Sequence, residues 1–166
     1  MQQIIRIEKS GPLFENPAAI IQDGLDSFVM EVLSLLESAV KEKTPRGVFG
    51  DQGGLAATIH GDPFNLGTPA VMGIVGHQSV YGDVIEMGRR PGKMPPPGVL
   101  LRWMEVVLGM SEKEAQRKEY GLRLSIAKKG FDGAFMFQKA LEENETKIED
   151  IAQKYGIDIA FNLNGG

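Results

Sequence analysis

Between Asn16 and Thr44, Ile21, Leu25, Phe28, Val29, Val32, Leu35, Leu36 and Ala39 recur at steps of three and four. That is the period of a helix with one apolar face. Asn16-Pro17 supplies its start, since asparagine caps free amides and proline is pre-set for the first helical position. Lys41 and Lys43 close it ahead of Thr44-Pro45, where cations suit the helix dipole. The span predicts a helix of about 27 residues and about 40 Å at 1.5 Å per residue, with length to spare for packing against neighbouring subunits.

From Thr44 to Gly88 the pattern changes to short apolar runs separated by glycines. Leu55–Ile59, Ala70–Val75 and Val84–Met87 read as extended or short regular pieces of a small antiparallel sheet. The glycine-rich stretch Arg46–Gly54 and the loop Asp62–Thr68 are expected to be mobile. Val99, Leu100, Trp103, Val106 and Val107 have helical spacing, ending near Gly109. Ser111 with Glu114 is a capping-box pattern opening a helix to Lys129 and Gly130. A last helix is predicted from Ala134 to Tyr155, stopped by Gly156. Ile157, Ile159 and Phe161 then alternate as a short strand. The predicted architecture is α+β: a small, mainly antiparallel sheet packed against a long N-terminal helix, with further C-terminal helices. A single domain spans 1–166, with an N-terminal arm at 1–15 and a flexible tail at 162–166. Its expected core is Leu25, Phe28, Val32, Leu36, Ile59, Val84, Trp103, Ile126, Phe137 and Leu141.

Composition narrows the function classes. The 166 residues are 42% hydrophobic and 24% charged, with a net charge of −4 and no cysteine. The acidic balance argues against a surface devoted to nucleic-acid phosphates. The missing cysteines exclude disulfides, thiolate metal sites and cysteine nucleophiles, and suit assembly in a reducing cytoplasm. Met1–Ser10 lacks the basic start and apolar run of a secretory signal. The apolar stretch Ala18–Val40 carries too many acids to span a membrane.

Catalytic patterns are sparse. His60 and His77 are the two histidines, too few for a multi-histidine metal centre. No serine lies in a nucleophile elbow. Gly47–Gly54 lacks the lysine and hydroxyl residue of a phosphate loop. Glu142, Glu143, Glu145, Glu149 and Asp150 share their helix with Lys139, Lys147 and Lys154, and read as a solvated face. No cofactor, metal or catalytic residue is expected.

The most distinctive stretch runs from Tyr81 through Glu86-Met87-Gly88-Arg89-Arg90-Pro91 to Gly92-Lys93-Met94-Pro95-Pro96-Pro97. It pairs a short ordered element, broken at Gly88, with a loop stiffened by prolines and carrying three cations. This segment resembles the tyrosine, E-x-G-x-R-P and M-P-P signature of the small tail-completion and neck proteins of tailed bacteriophages, the group that includes minor tail protein Z-like subunits. The order of the remaining elements is similar as well, over roughly Asn16 to Tyr155. Thr44-Pro45 and Gly53-Gly54-Leu55 precede the segment, and the tryptophan-bearing Leu101-Arg102-Trp103 follows it. Ile126-Ala127-Lys128-Lys129-Gly130 and Phe135-Met136-Phe137 come after. The chain departs from the pattern at Gly53, where threonine is usual.

The resemblance implies a non-enzymatic structural subunit, assembled in the host cytoplasm into the virion. It would form a homo-oligomeric ring at the tail–neck junction, partnered by the tail tube or head–neck connector proteins and near the DNA of the channel. The residues expected at its interface are Tyr81, Glu86, Gly88, Arg89, Arg90, Pro91, Lys93, Met94, Pro95 and Pro96. An alternative class is a nucleic-acid-binding module using Arg89, Arg90 and Lys93 with the basic run Arg117, Lys118, Arg123, Lys128 and Lys129.

Overall fold

The computed structural model describes residues 11, 15–45, 47 and 54–163. Most of the expected arm, seven of the residues in the glycine-rich stretch 46–54, and the last three residues lie outside them. The elements in chain order are α1 (Pro17–Lys43), a 3₁₀ turn (Ala56–Thr58), β1 (Ile59–Phe64), β2 (Met72–His77), α2 (Gly82–Met87), β3 (Gly88–Arg89), α3 (Leu101–Val106), α4 (Glu112–Lys129), β4 (Phe131–Asp132) and α5 (Met136–Leu163). β1 pairs with β2, and β3 pairs antiparallel with β4 through Gly88–Asp132 and Arg89–Phe131. The fold is α+β, with the long N-terminal helix packed on the small sheet and helices following.

Local signals fixed α1 and α4. α1 has its 27 residues and its terminal lysines, and Thr44 turns its hydroxyl back to the Val40 carbonyl at 2.7 Å. The capping box of α4 is formed: Ser111 and Glu114 exchange bonds at the helix start, which also holds the Glu114 carboxyl below its usual range.

Three expected strand pieces are corrected. Leu55–Thr58 is a turn, and the strand starts at Ile59. Val84–Met87 lies in α2, because Gly82 is buried beneath the His77 ring and a glutamate from this turn is needed at the start of α5. The run 157–161 continues α5 through Gly156. A glycine costs a helix only about 1 kcal/mol, and the turns around it are held by α1.

The chain groups into two compact units. The first takes residues to Leu35, Gly61–Ile74 and Asn144 onward. Here Glu31 on α1 accepts the Tyr155 hydroxyl at 2.7 Å and Lys154 Nζ at 2.9 Å, and Phe28 meets the Tyr155 ring edge-on. Gly24 faces Ile159 so closely that any Cβ would collide with it, and Gly73 lies likewise on the buried Leu33. Asp26 takes the Gly67 amide at 2.9 Å, tying the 65–71 turn to α1.

The second unit holds residues 36–60 and 75–143. Its core is Val40, Leu55, Ile59, Met136 and Ala140, with Val75, Ile85 and Phe137 packed around it. α3 lies on α4, burying Met104 and Ala115.

Of the expected core, Ile59 is fully buried, while Leu25, Phe28, Val32, Leu36, Trp103, Ile126 and Phe137 are half-buried. Val84 and Leu141 are exposed, at 40% and 49%. On α5 the inward ridge is Met136, Ala140 and Asn144, spaced by four. The close approach selects alanine, and Leu141, one step round the helix, turns outward.

Ile59→Ala is expected to cost about 2–5 kcal/mol in denaturant unfolding and Leu141→Ala less than about 0.5 kcal/mol. Equal losses would overturn this core. The hydrogen bond from Tyr155, then Lys154, holds the Glu31 carboxyl below its usual range. A lowered carboxyl stabilises the fold above its unfolded-state value, and that contribution is lost as pH falls through the folded-state one. The stability gap between parent and Glu31→Gln should therefore be widest near neutrality and begin to shrink as pH falls into the ordinary glutamate range, about 4.3.

Candidate functional site

The segment from Tyr81 to Gly98 is built from α2 outward. The Glu86 side chain reaches the start of α5, accepting the amides of Met136 at 2.6 Å and Phe137 at 3.3 Å on one oxygen and of Gln138 at 3.4 Å on the other. It caps α5 from a distant part of the chain, bringing negative charge to the positive end of the helix. Main-chain bonds lie alongside: the Ala134 amide donates to Ile85 O at 2.8 Å and the Phe135 amide to Glu86 O at 3.1 Å.

Glycines allow this approach. Gly88 (φ +76°) sits against the backbone of Phe131 and Gly133, Gly133 against the Glu86 carbonyl, and Gly130 (φ +71°) against the Arg89 carbonyl. A Cβ at any of the three would collide with main-chain atoms, which cannot rotate away as a side chain can.

Beyond Gly88 the chain is strapped along α4. The Gly92 amide donates to Ala127 O at 2.8 Å, one of the last-turn carbonyls a helix leaves free. Arg123 Nε donates to Pro95 O at 2.7 Å, and the Gly98 amide donates to Glu119 Oε1 at 2.6 Å. Glu119, Arg123 and Ala127 are four residues apart, so one face of α4 meets every third residue of the strap. Glu119 is 8% exposed, and the Gly98 amide occupies one of its oxygens.

The ten expected interface residues therefore divide. Glu86 and Gly88 face inward, Pro95 is buried, Met94 is half-buried, and Arg89 donates its guanidinium to Lys93 O. Tyr81, Arg90, Pro91, Lys93 and Pro96 face outward. Of the basic run, Arg123 is committed to the strap, whereas Arg117, Lys118, Lys128 and Lys129 are exposed. Sequence reasoning missed Glu119 and Gly133, and read Gly130 as the stop of α4 without its contact with Arg89. The Gly130-x-x-Gly133 pair between two helices was the available signal.

A cleft of about 530 Å³ is bordered by His77, Val80, Asp83, Glu86 and Phe137. His77 Nε2 lies 3.2 Å from Asp83 Oδ1, while its buried Nδ1 faces no hydrogen-bonding partner. The Glu86 carboxylate beside them is engaged by the α5 amides. Among the described residues, no three His, Cys, Asp or Glu side chains converge as metal ligands. No described helix is long and apolar enough to cross a membrane. No family model, curated protein or solved structure matches the chain.

Glu86→Ala should cost about 1–2 kcal/mol, as loss of a helix cap does, and Gly133→Ala more, because main chain must move. Arg90→Ala should leave the melting curve unchanged. Thermal unfolding followed by circular dichroism checks all three, and an Arg90 variant as damaging as the Glu86 one would contradict this assignment.

Proposed function

We propose that the chain is a structural subunit of a tailed-bacteriophage particle, a tail-completion or head–tail connector protein that forms a ring at the tail–neck junction. The observation that carries the reading is the strap. Its conformation is held by α4 and by the glycine-lined crossing at α5, and it presents Arg90, Pro91, Lys93 and Pro96 outward. A ridge ordered before contact loses little entropy when a partner docks, which favours a rigid assembly joint. The strap is also the segment that resembles the tail-completion and neck signature.

In this reading Glu86, Gly88 and Pro95 serve the shape of the joint, and Arg90 and Lys93 serve its contact. The partner offered is the tail tube or a neck protein, with channel DNA near the cations. No catalytic step is assigned.

Arg90→Glu with Lys93→Glu should leave the fold and its melting temperature intact. In a phage carrying the pair of changes, filled heads and finished tails should accumulate unjoined, with infectious titre falling by about 100-fold or more, as several copies lose a charged contact at once. Electron microscopy of lysates and plaque assays read both outcomes. Normal titre would remove the strap from the joint, and absence of the chain from purified particles would remove the virion reading altogether.

A further inference from the structure

The net charge of −4 hides an uneven division. The described residues of the first unit carry nine acidic and two basic side chains, a net of −7. Those of the second carry eleven acidic and thirteen basic, a net of +2. The exposed cations of the second unit concentrate on α4, where Lys113, Arg117, Lys118, Lys128 and Lys129 all face solvent. Glu114, an acid one turn before Arg117 and Lys118, is engaged by Ser111. Lys113, Arg117 and Tyr120 follow one another at helical spacing on the outward side, and Tyr120 is 62% exposed.

The first unit has a receptor of matching chemistry. A groove of about 450 Å³ lies where α1 and α5 meet at Gly24 and Ile159. Its walls include the apolar Ile20 and Ile159 and the exposed carboxylates of Asp23 and Asp158, and no basic residue lines it. Lys154, the nearest cation along α5, is bonded to Glu31 at 2.9 Å and feels Asp158 only as a lesser, longer-range attraction. An arginine fits such a groove better than a lysine. Its methylenes cover apolar wall while its planar fork answers more than one carboxylate.

We propose that the acidic groove between α1 and α5 of one copy receives the outward face of α4 of a second copy, with Arg117 entering between Asp23 and Asp158. The occupant is this chain itself, because the two surfaces are opposite in charge and each copy carries both. Groove and α4 face are different patches, so the contact is heterologous and propagates from copy to copy, closing into a ring where the rotation permits. The inference rests on the ring reading for its biological setting and on charge and shape for its geometry.

Sedimentation velocity on the full chain tests it. Self-association should be present in low salt and weaken at least about tenfold near 0.5 M salt, since the rim charges are screened within a few ångströms there. Arg117→Glu, and separately Asp23→Lys with Asp158→Lys, should each weaken association about tenfold or more. Both sets of changes in one chain should restore it. Circular dichroism confirms folding of every variant. A monomer in all salts, an Arg117→Glu variant that associates like the parent, or a combined variant that stays dissociated would each overturn the proposal. So would binding of duplex DNA through Arg117 without self-association, which would assign the face to nucleic acid. These outcomes are separate from the particle test. A chain that associates as described but is missing from virions keeps this contact and loses the phage setting.

Discussion

The carboxylate of Glu86 at the start of α5 is the constraint from which the arrangement of the second unit follows. Met136, the first residue of α5, is fully buried, so its amide has little water to turn to. An unpaired buried amide costs about 1–3 kcal/mol, and the local sequence Gly133-Ala134-Phe135 holds no side chain able to cap it. The acceptor has to come from elsewhere, and α2 brings it. Once Glu86 is there, the main chain on either side must pass within backbone contact of the α4–α5 junction. That close passage explains why glycine stands at 88, 130 and 133 and why the two short strands pair where they do.

From that crossing the strap inherits its direction. It leaves Gly88 along the last turn of α4 and is caught at Ala127, Arg123 and Glu119 in succession. The prolines stiffen it, and the helix gives it a position. A loop of the same composition without these three attachments would be stiff but not placed. The distinction bears on the proposed function, because a joint between subunits needs its contact residues at fixed coordinates. In the proposed self-association the opposite charges of the two units have a part of their own, since complementary patches orient copies before they touch.

How much of this could be read in the sequence followed the range of the forces involved. α1 and α4 were legible because a capping box, a proline start and lysine ends act within one or two turns. The end of α5 was not, since Gly156 is a local stop signal overridden by Tyr155 on Glu31 and Ile159 on Gly24, partners far away in the chain. α2 was legible only as an extended or short regular piece for the same reason, its conformation being set by Gly82 beneath His77 and by the reach of Glu86. Buried positions on α5 were missed because apolar volume was taken as the guide, whereas the contact is close and admits Ala140 rather than Leu141. At the candidate site the outward cations Arg90 and Lys93 were legible as a rigid, charged loop. The inward duties of Glu86, Gly88 and Pro95 depend on Glu119, Arg123, Gly130 and Gly133, which no local pattern links to them.

A strap that serves as a joint must be ordered by α4 in the free subunit, before any partner arrives. Native-state hydrogen exchange resolved at single amides measures this most directly, since the Gly92 and Gly98 amides each have a named acceptor on or from α4. Both should exchange slowly, with protection comparable to that of amides in the middle of α4, because opening the strap would require breaking its attachments to that helix. Exchange at Gly92 and Gly98 as fast as in an unstructured peptide, with α4 itself protected, would contradict the account.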